Sequence, residues 1–289
     1  MTIMTVEKAT KLGFCFGVRR ALRLLGEAAL AHGKVETLGF IVHNRQAVEM
    51  LEPLGVKKLE SLEQATGNVL AIPSHGLSRE TIENMRDRGF TIVDTTCPNV
   101  RRTQTAAEEL ARAGFWVIIY GDADHPEVKG LLGWAGGSGT ATLDANISHK
   151  LGRTHRRVGI LSQTTQNREH FASFTEGLVD ALLLRGEELR VVNTICDATR
   201  KRQEAALDLA KRVDLMMVVG GRESANTRRL AEVCAAAGVE THHIETAIEI
   251  DDSWVESPRV GVTAGASTPD HVIEEVIQSL KERGHSLVP

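Results

Sequence analysis

Three cysteines, Cys15, Cys97 and Cys196, are each followed 28 residues later by a polar loop residue: His43, His125 and Ser224. What lies between is the same each time. A basic stretch comes first (Arg19-Arg20, Arg101-Arg102, Arg200-Lys201-Arg202). A helical pattern rich in Ala, Leu and Glu follows, clearest in Thr105–Ala113 and Glu204–Arg212. Then comes a short apolar run of the kind that forms a buried strand: Val35–Val42, Phe115–Tyr120 and Leu215–Val219. Equal spacing in three separate stretches requires one local fold to be built three times.

The parallel continues beyond the polar loops. A helix is expected in each repeat (Ala47–Leu54, Val128–Trp134, Arg228–Ala237), then a short extended piece and a short helix, as in Lys57–Leu62 and Thr142–Ile147. A second strand opens into a loop of small residues: Pro73-Ser74-His75-Gly76, Ser162-Gln163-Thr164-Thr165 and Ala264-Gly265-Ala266-Ser267. A longer helix such as Pro269–Arg283 follows, capped by Ser267 or Thr268. A last strand, Thr91–Val93 or Arg190–Val192, returns to the next cysteine. Alternating strands and helices predict an α/β protein of mostly parallel sheets. The expected lobes are 13–96, 97–195 and 196–289, related by a pseudo-threefold around a central site. Ligand sites in such sheets lie beyond the carboxyl ends of the strands, where every loop just named falls. The alternative is three independent α/β domains with unconnected sites.

Composition narrows the function. The 289 residues allow one to three compact units, and 42% hydrophobic with 25% charged residues is ordinary for a globular protein. A net charge of −4 argues against a nucleic-acid binder. No apolar run approaches the roughly 18 residues that span a bilayer, and the start, Met1 to Lys8, does not read as a secretory signal. With only four cysteines and no Cys-x-x-Cys pair, neither a disulfide framework nor a zinc ribbon is supported. The expectation is a cytoplasmic protein; the sequence assigns no oligomeric state. There is no Gly-x-x-x-x-Gly-Lys-Ser/Thr loop, and Gly220-Gly221-Arg222 does not complete a dinucleotide fingerprint.

Three thiolates contributed by distant loops suit an iron–sulfur cluster. Zinc with an open fourth position and a redox-active thiol set are the other readings. Cys234, in an apolar helical stretch outside the repeat, reads as core. The polar loops supply a second set: His43, His75, His125, Glu127, Thr164, Ser224, Asn226 and Ser267. Several stand where a helix begins, and helix amino ends bind phosphate through unpaired N–H groups and the positive dipole end. Taken singly, the Ser and Thr residues would be helix caps and Glu127 a first-turn glutamate favoured by the dipole. His32, His149, His155, His170, His242, His243 and His285 have no counterpart in the repeat and carry no assignment.

In combination and order, Gly13-Phe14-Cys15-Phe16-Gly17-Val18, Val42-His43-Asn44, Ser74-His75-Gly76, Asp94-Thr95-Thr96-Cys97-Pro98, His125-Pro126-Glu127-Val128, Ser162-Gln163-Thr164-Thr165, Ile195-Cys196-Asp197-Ala198-Thr199 and Ala264-Gly265-Ala266-Ser267-Thr268-Pro269-Asp270 resemble the LytB-type 4-hydroxy-3-methylbut-2-enyl diphosphate reductase family over nearly the whole chain. The resemblance implies a three-lobed α/β fold. It implies that Cys15, Cys97 and Cys196 hold a [4Fe–4S] cluster with one iron open to substrate. His43, His75, Ser224, Asn226 and Ser267 would hold the substrate diphosphate, His125 and Thr164 would sit near the substrate, and Glu127 would deliver protons. The implied reaction removes an allylic hydroxyl reductively, giving isopentenyl and dimethylallyl diphosphates and water, the last step of the non-mevalonate isoprenoid route. Electrons would come from a ferredoxin or flavodoxin. One departure stands out: many members read Ser-Ser-Asn where this chain has Ser224-Ala225-Asn226, which removes one hydroxyl from the diphosphate loop. Two alternatives accompany the resemblance, a reductase of another phosphorylated substrate and a non-enzymatic iron–sulfur sensor.

Overall fold

A computed structural model describes residues 4–147, 155–183 and 188–286; His149 lies outside them. The repeat emerges as three sheets of four strands, all pairs parallel. One sheet has the order β3-β2-β4-β5, from β2 (Val35–Leu38), β3 (Val56–Leu59), β4 (Val69–Ile72) and β5 (Thr91–Asp94). The next has the order β7-β6-β8-β9, from β6 (Trp116–Tyr120), β7 (Gly139–Thr142), β8 (Arg157–Ser162) and β9 (Glu188–Val192). The last runs β11-β10-β12-β1, from β10 (Leu215–Val219), β11 (Glu240–Ile244), β12 (Arg259–Ala264) and β1 (Thr5–Lys8).

The three orders match position by position, and β1 resolves an asymmetry in the sequence. The third repeat has no closing strand of its own; the chain start supplies it, in register from Thr5↔Arg259 to Lys8↔Val262. Its sequence, Thr-Val-Glu-Lys, offers no apolar run, so periodicity alone does not mark it. In every sheet the fourth strand therefore leads to a cysteine: β1 to Cys15, β5 to Cys97 and β9 to Cys196.

The inner strands explain the parallel pairing. Every residue of β10, Leu-Met-Met-Val-Val, is buried, which requires cover on both faces. One face of that sheet packs Met217, Val219 and Val262 with Val276 and Leu280. The other packs Met216 and Val218 with Ala206, Leu209 and Leu230. The β6 sheet repeats the plan: Ile118 and Ile160 meet Phe171, Phe174 and Leu178, while Val117, Ile119 and Leu161 meet Leu110, Val128 and Leu131. Each such side chain contributes roughly 1.5–3 kcal/mol by leaving water.

The helices that follow the cysteines, α1 (Phe16–His32), α4 (Pro98–Arg112) and α7 (Asp197–Ala210), start at once, earlier than the apolar pattern suggests. Their first turns carry the basic residues, which hide the amphipathic signal, while Pro98 and Asp197 favour a helix start there. The expected strand Val35–Val42 stops at Leu38, because Gly39 takes a φ of 75° and donates its N–H to the Leu59 carbonyl at 2.8 Å. A short helix α2 (Arg45–Glu49) then precedes a 3-10 turn at Glu52–Leu54.

Contacts divide the chain into two units. One comprises Met1–Arg19, Val42–Met50 and Asp197–Pro289 and contains the β11-β10-β12-β1 sheet. The other comprises Arg20–Ile41 and Leu51–Cys196 and contains the other two sheets. Inside the second unit, α5 (Pro126–Trp134) packs beside α3 (Arg79–Asp87). The Trp134 indole N–H donates to the Leu77 carbonyl at 2.9 Å. Gly133 makes this approach possible, since a Cβ there would stand 2.4 Å from the Cβ of Ser78. Among the described residues no helix is long and apolar enough to cross a membrane.

Candidate active site

The loops at the carboxyl ends of the strands repeat one hydrogen-bond scheme. Cys15 donates its backbone N–H to the Ala266 carbonyl at 2.9 Å, Cys97 to Ser74 at 2.9 Å and Cys196 to Thr164 at 3.0 Å. Each acceptor lies two residues past the end of the third strand of its sheet, and each cysteine is the residue just ahead of a helix. Two residues before Cys97, the Thr95 hydroxyl donates to the Ile72 carbonyl at 2.5 Å. Thr194 does the same for Ser162 ahead of Cys196, and accepts the Ser162 N–H at 2.9 Å. The 28-residue spacing now has a structural meaning. His125 and Ser224 are the N-caps of α5 and of α8 (Ala225–Ala236). In the first repeat the cap is Asn44, which accepts the Ala47 N–H at 2.9 Å, and His43 stands one residue earlier.

Cys15, Cys97 and Cys196 are half-buried and reduced. Cys234 sits in the core, where burial pushes its thiol up to about 12. Among the described residues of either unit, no three His, Cys, Asp or Glu side chains form a metal-holding group; Cys97 and Cys196 belong to one unit and Cys15 to the other. The donor chemistry suits iron and sulfide: three thiols at equivalent positions, with the Val18 N–H already directed at the Cys15 sulfur at 3.4 Å.

In the second unit the structure brings Glu127, Thr164 and His125 together. Glu127 is 3% exposed. Its two carboxyl oxygens accept the Thr164 backbone N–H at 2.7 Å and the Thr164 hydroxyl at 2.8 Å. Burial dominates over these two bonds, which favour the anion, and raises the carboxyl to about 7. The Nδ1 of His125 accepts the Glu127 backbone N–H at 3.1 Å, so the neutral ring carries its proton on Nε2. His75, also buried, donates from Nδ1 to the Gly76 carbonyl at 3.0 Å. Its loop runs on to Leu77 and Ser78, the residues that pack on α5.

The first unit collects His43, Ser224, Asn226 and Ser267. The Ser267 hydroxyl donates to the His43 carbonyl at 3.3 Å, and Ser224 caps α8 by accepting the Thr227 N–H at 3.3 Å. Asn226 is 4% exposed, yet neither its amide nitrogen nor its amide oxygen has a hydrogen-bond partner in the protein. A fully unsatisfied buried amide is costly and points to a polar ligand. The loops here approach too closely for side chains: a Cβ on Gly221 would lie 2.8 Å from the His43 carbonyl oxygen, and one on Gly265 would lie 2.1 Å from the Thr227 hydroxyl. Burial holds His43 below the usual histidine range, Arg228 adding to the effect and Glu223 opposing it. The amino ends of α8 and α9 (Asp270–Ser286) follow the Ser224 and Ser267 loops, and a helix amino end suits an anion. Thr227, buried with an unpartnered hydroxyl, and Gln163, whose amide oxygen accepts from Asp122 N–H at 3.2 Å and Gln166 at 3.0 Å, received no role from the sequence. Gln163 stands inside the Ser162–Thr165 segment that carries the resemblance, whereas Thr227 has no signal beyond following the Ser224 loop.

Fold and loops define a class: a three-sheet parallel α/β protein with repeated cysteine loops, a buried carboxylic acid and an unsatisfied buried amide beside small-residue loops. The family described as LytB protein matches residues 6–281. A curated relative, 4-hydroxy-3-methylbut-2-enyl diphosphate reductase of Dehalococcoides mccartyi, is 46% identical over 278 residues, 96% of this chain and 98% of the relative. Another of the same name, from Geobacter sulfurreducens, is 45% identical over 280 residues, with coverage of 96% and 98%. A solved structure of (E)-4-hydroxy-3-methyl-but-2-enyl diphosphate reductase, described as the terminal enzyme of the non-mevalonate pathway, shares 40% identity with a TM-score of 0.69, covering 98% of this chain and all of that one (100%). The Plasmodium falciparum reductase structure, 24% identical, matches in fold with a TM-score of 0.88 over 95% of this chain and 87% of that one. The chain belongs to the LytB family.

Proposed function

We propose that this chain is an oxidoreductase that removes the allylic hydroxyl of 4-hydroxy-3-methylbut-2-enyl diphosphate. One C–O bond breaks; two electrons and two protons enter; the products are isopentenyl and dimethylallyl diphosphates and one water. The observation that carries the reading is Glu127: a buried carboxylic acid near 7, held by Thr164, in a chain of this family. Hydroxide is a poor leaving group and water a good one, so a proton donor matched to neutral pH is what the step needs.

Cys15, Cys97 and Cys196 would hold a [4Fe–4S] cluster, which when bound supplies single electrons and a Lewis-acidic iron. Its electrons would come from a ferredoxin or flavodoxin of the cytoplasm. His43, His75, Ser224, Asn226 and Ser267 bind the diphosphate and use its remote binding energy to orient the carbon chain. His125 and Thr164 would sit near the substrate; Thr164 holds the Glu127 carboxyl and His125 its backbone N–H. Ala225 leaves one hydroxyl out of the diphosphate loop.

Glu127→Gln, reconstituted anaerobically with iron and sulfide, is expected to keep wild-type iron content and lose turnover by about 10²–10⁴-fold. Near-normal turnover would reject the role. Cys97→Ser is expected to lose the visible absorbance of the cluster and the activity together; retention of both would reject the ligand assignment.

A further inference from the structure

The three helices that follow the cysteines each extend an arginine to the loop ahead of the next cysteine. Arg20, on α1 behind Cys15, donates to the Thr96 carbonyl at 3.2 Å, one residue before Cys97. Arg102, on α4 behind Cys97, reaches the Asn193 carbonyl at 3.5 Å, three residues before Cys196. Arg202, on α7 behind Cys196, donates to the Gly13 carbonyl at 2.6 Å, two residues before Cys15. Each bond lies inside one unit: those of Arg20 and Arg102 in the second, that of Arg202 in the first. Arg20 and Arg102 stand five residues after their cysteines and Arg202 six, because Lys201, at the fifth place, is engaged with Asp197 at 2.6 Å.

We propose that Arg20, Arg102 and Arg202 are positioning residues, each fixing the backbone loop ahead of one cysteine: Cys97, Cys196 and Cys15 in turn. The inference rests on the reading of Cys15, Cys97 and Cys196 as ligands of one cluster. Arg202 carries the strongest case. It is 7% exposed, and a charged group so buried persists only where its donors are placed. A second nitrogen donates to the Ala198 carbonyl at 3.0 Å, so one guanidinium ties the first turn behind Cys196 to the turn ahead of Cys15. That turn is already narrow, for Gly13 has a φ of 71° and Cys15 is bound to Ala266. A planar fork of donors reaches two separated carbonyls from different nitrogens in a fixed geometry, whereas a lysine offers its donors from a single point. Contact length and exposure grade the three: Arg202 is buried, Arg20 half-buried and Arg102 exposed.

The test uses the full chain and reads each cysteine separately. In metal-free protein, alkylation by iodoacetamide is followed peptide by peptide by mass spectrometry. Arg202→Met is expected to speed Cys15 about three- to tenfold, the factor one hydrogen bond is worth, with Cys97 and Cys196 unchanged. Arg20→Met, at a half-exposed position that tolerates substitution, is expected to act on Cys97 alone. Arg102→Met should give the smallest change, at Cys196. Arg202→Lys is expected to recover only part of the loss. After anaerobic reconstitution, Arg202→Met should take up less iron per chain than Arg102→Met, with an altered low-temperature magnetic-resonance spectrum. An unchanged Cys15 rate in Arg202→Met overturns the proposal, as does an equal rise at all three cysteines. If the wild-type chain itself takes up no iron, the cluster reading fails, and the alkylation pattern alone decides the arginine assignment.

Discussion

Two buried glutamates show how environment sets the role of one residue type. Glu36, with a fully buried side chain, would be raised by burial. Instead, N–H donors from Gly67 (2.9 Å) and Thr66 (3.0 Å), the Thr66 hydroxyl (2.7 Å) and Lys34 (2.9 Å) outweigh it and hold the carboxyl at about 2. Glu127 has only Thr164 to oppose burial and rises to about 7. The consequences for stability have opposite sign. The Glu36 anion stabilises the fold above pH 4.5, and this is lost as pH falls toward 2. Glu36→Gln should therefore lower stability near neutrality by roughly 2–3 kcal/mol, with the difference shrinking in urea titrations at pH 3. The folded state holds the Glu127 proton more tightly than the unfolded chain does, so stability falls as pH rises from 4.5 to about 7. Glu127→Gln lacks this slope: its melting midpoint should gain on the wild type between pH 5 and pH 8. Parallel midpoints across that range would show that the carboxyl is ionised throughout.

At the level of elements, the repeat made most of the strands readable. Phe115–Tyr120 and Leu215–Val219 differ from β6 and β10 by at most one residue, because strands buried on both faces are written as unbroken apolar runs. Where the chain is polar, the signal failed for physical reasons. β1 gains its place through ladder hydrogen bonds to β12, not through a hydrophobic run, and the cysteine helices begin in basic turns. The candidate site residues were findable because loops at strand ends must spend small and polar residues to cap helices. Thr227 was not, since its hydroxyl matters only once Gly220 and Gly265 close against it. The glycines set how tightly these loops approach. Gly221→Ala would drive a methyl group into the His43 carbonyl at 2.8 Å, a backbone atom that cannot swing aside. Separating those loops should raise KM for the diphosphate substrate by about five- to 150-fold, from 1–3 kcal/mol of overpacking, with kcat changed far less. An unchanged KM would show that the loop spacing is not used in binding.

For the molecule as a whole, charge and function pull apart. The chain carries a net charge of −4, and its proposed substrate is a polyanion, so overall charge opposes the encounter. On the proposed reading attraction has to be local; the first unit carries the Asn226 amide and the Ser267 loop for it, while the second unit carries His75 and also holds Glu127 and Thr164. The proposed reading thus sets the Asn226 amide and the Glu127 acid on different sheets of one repeated plan. If so, a ligand that is nothing but the anion should act on one set and spare the other. Inorganic diphosphate is expected to slow amide exchange most in residues 220–227 and 265–268 and to leave α5, residues 126–134, near its unliganded rate. Hydrogen exchange with mass spectrometry reads both segments in one digest. Protection greater in 126–134 than in 220–227 would place the anion beside the buried acid, and the division of labour between the sheets would have to be reversed.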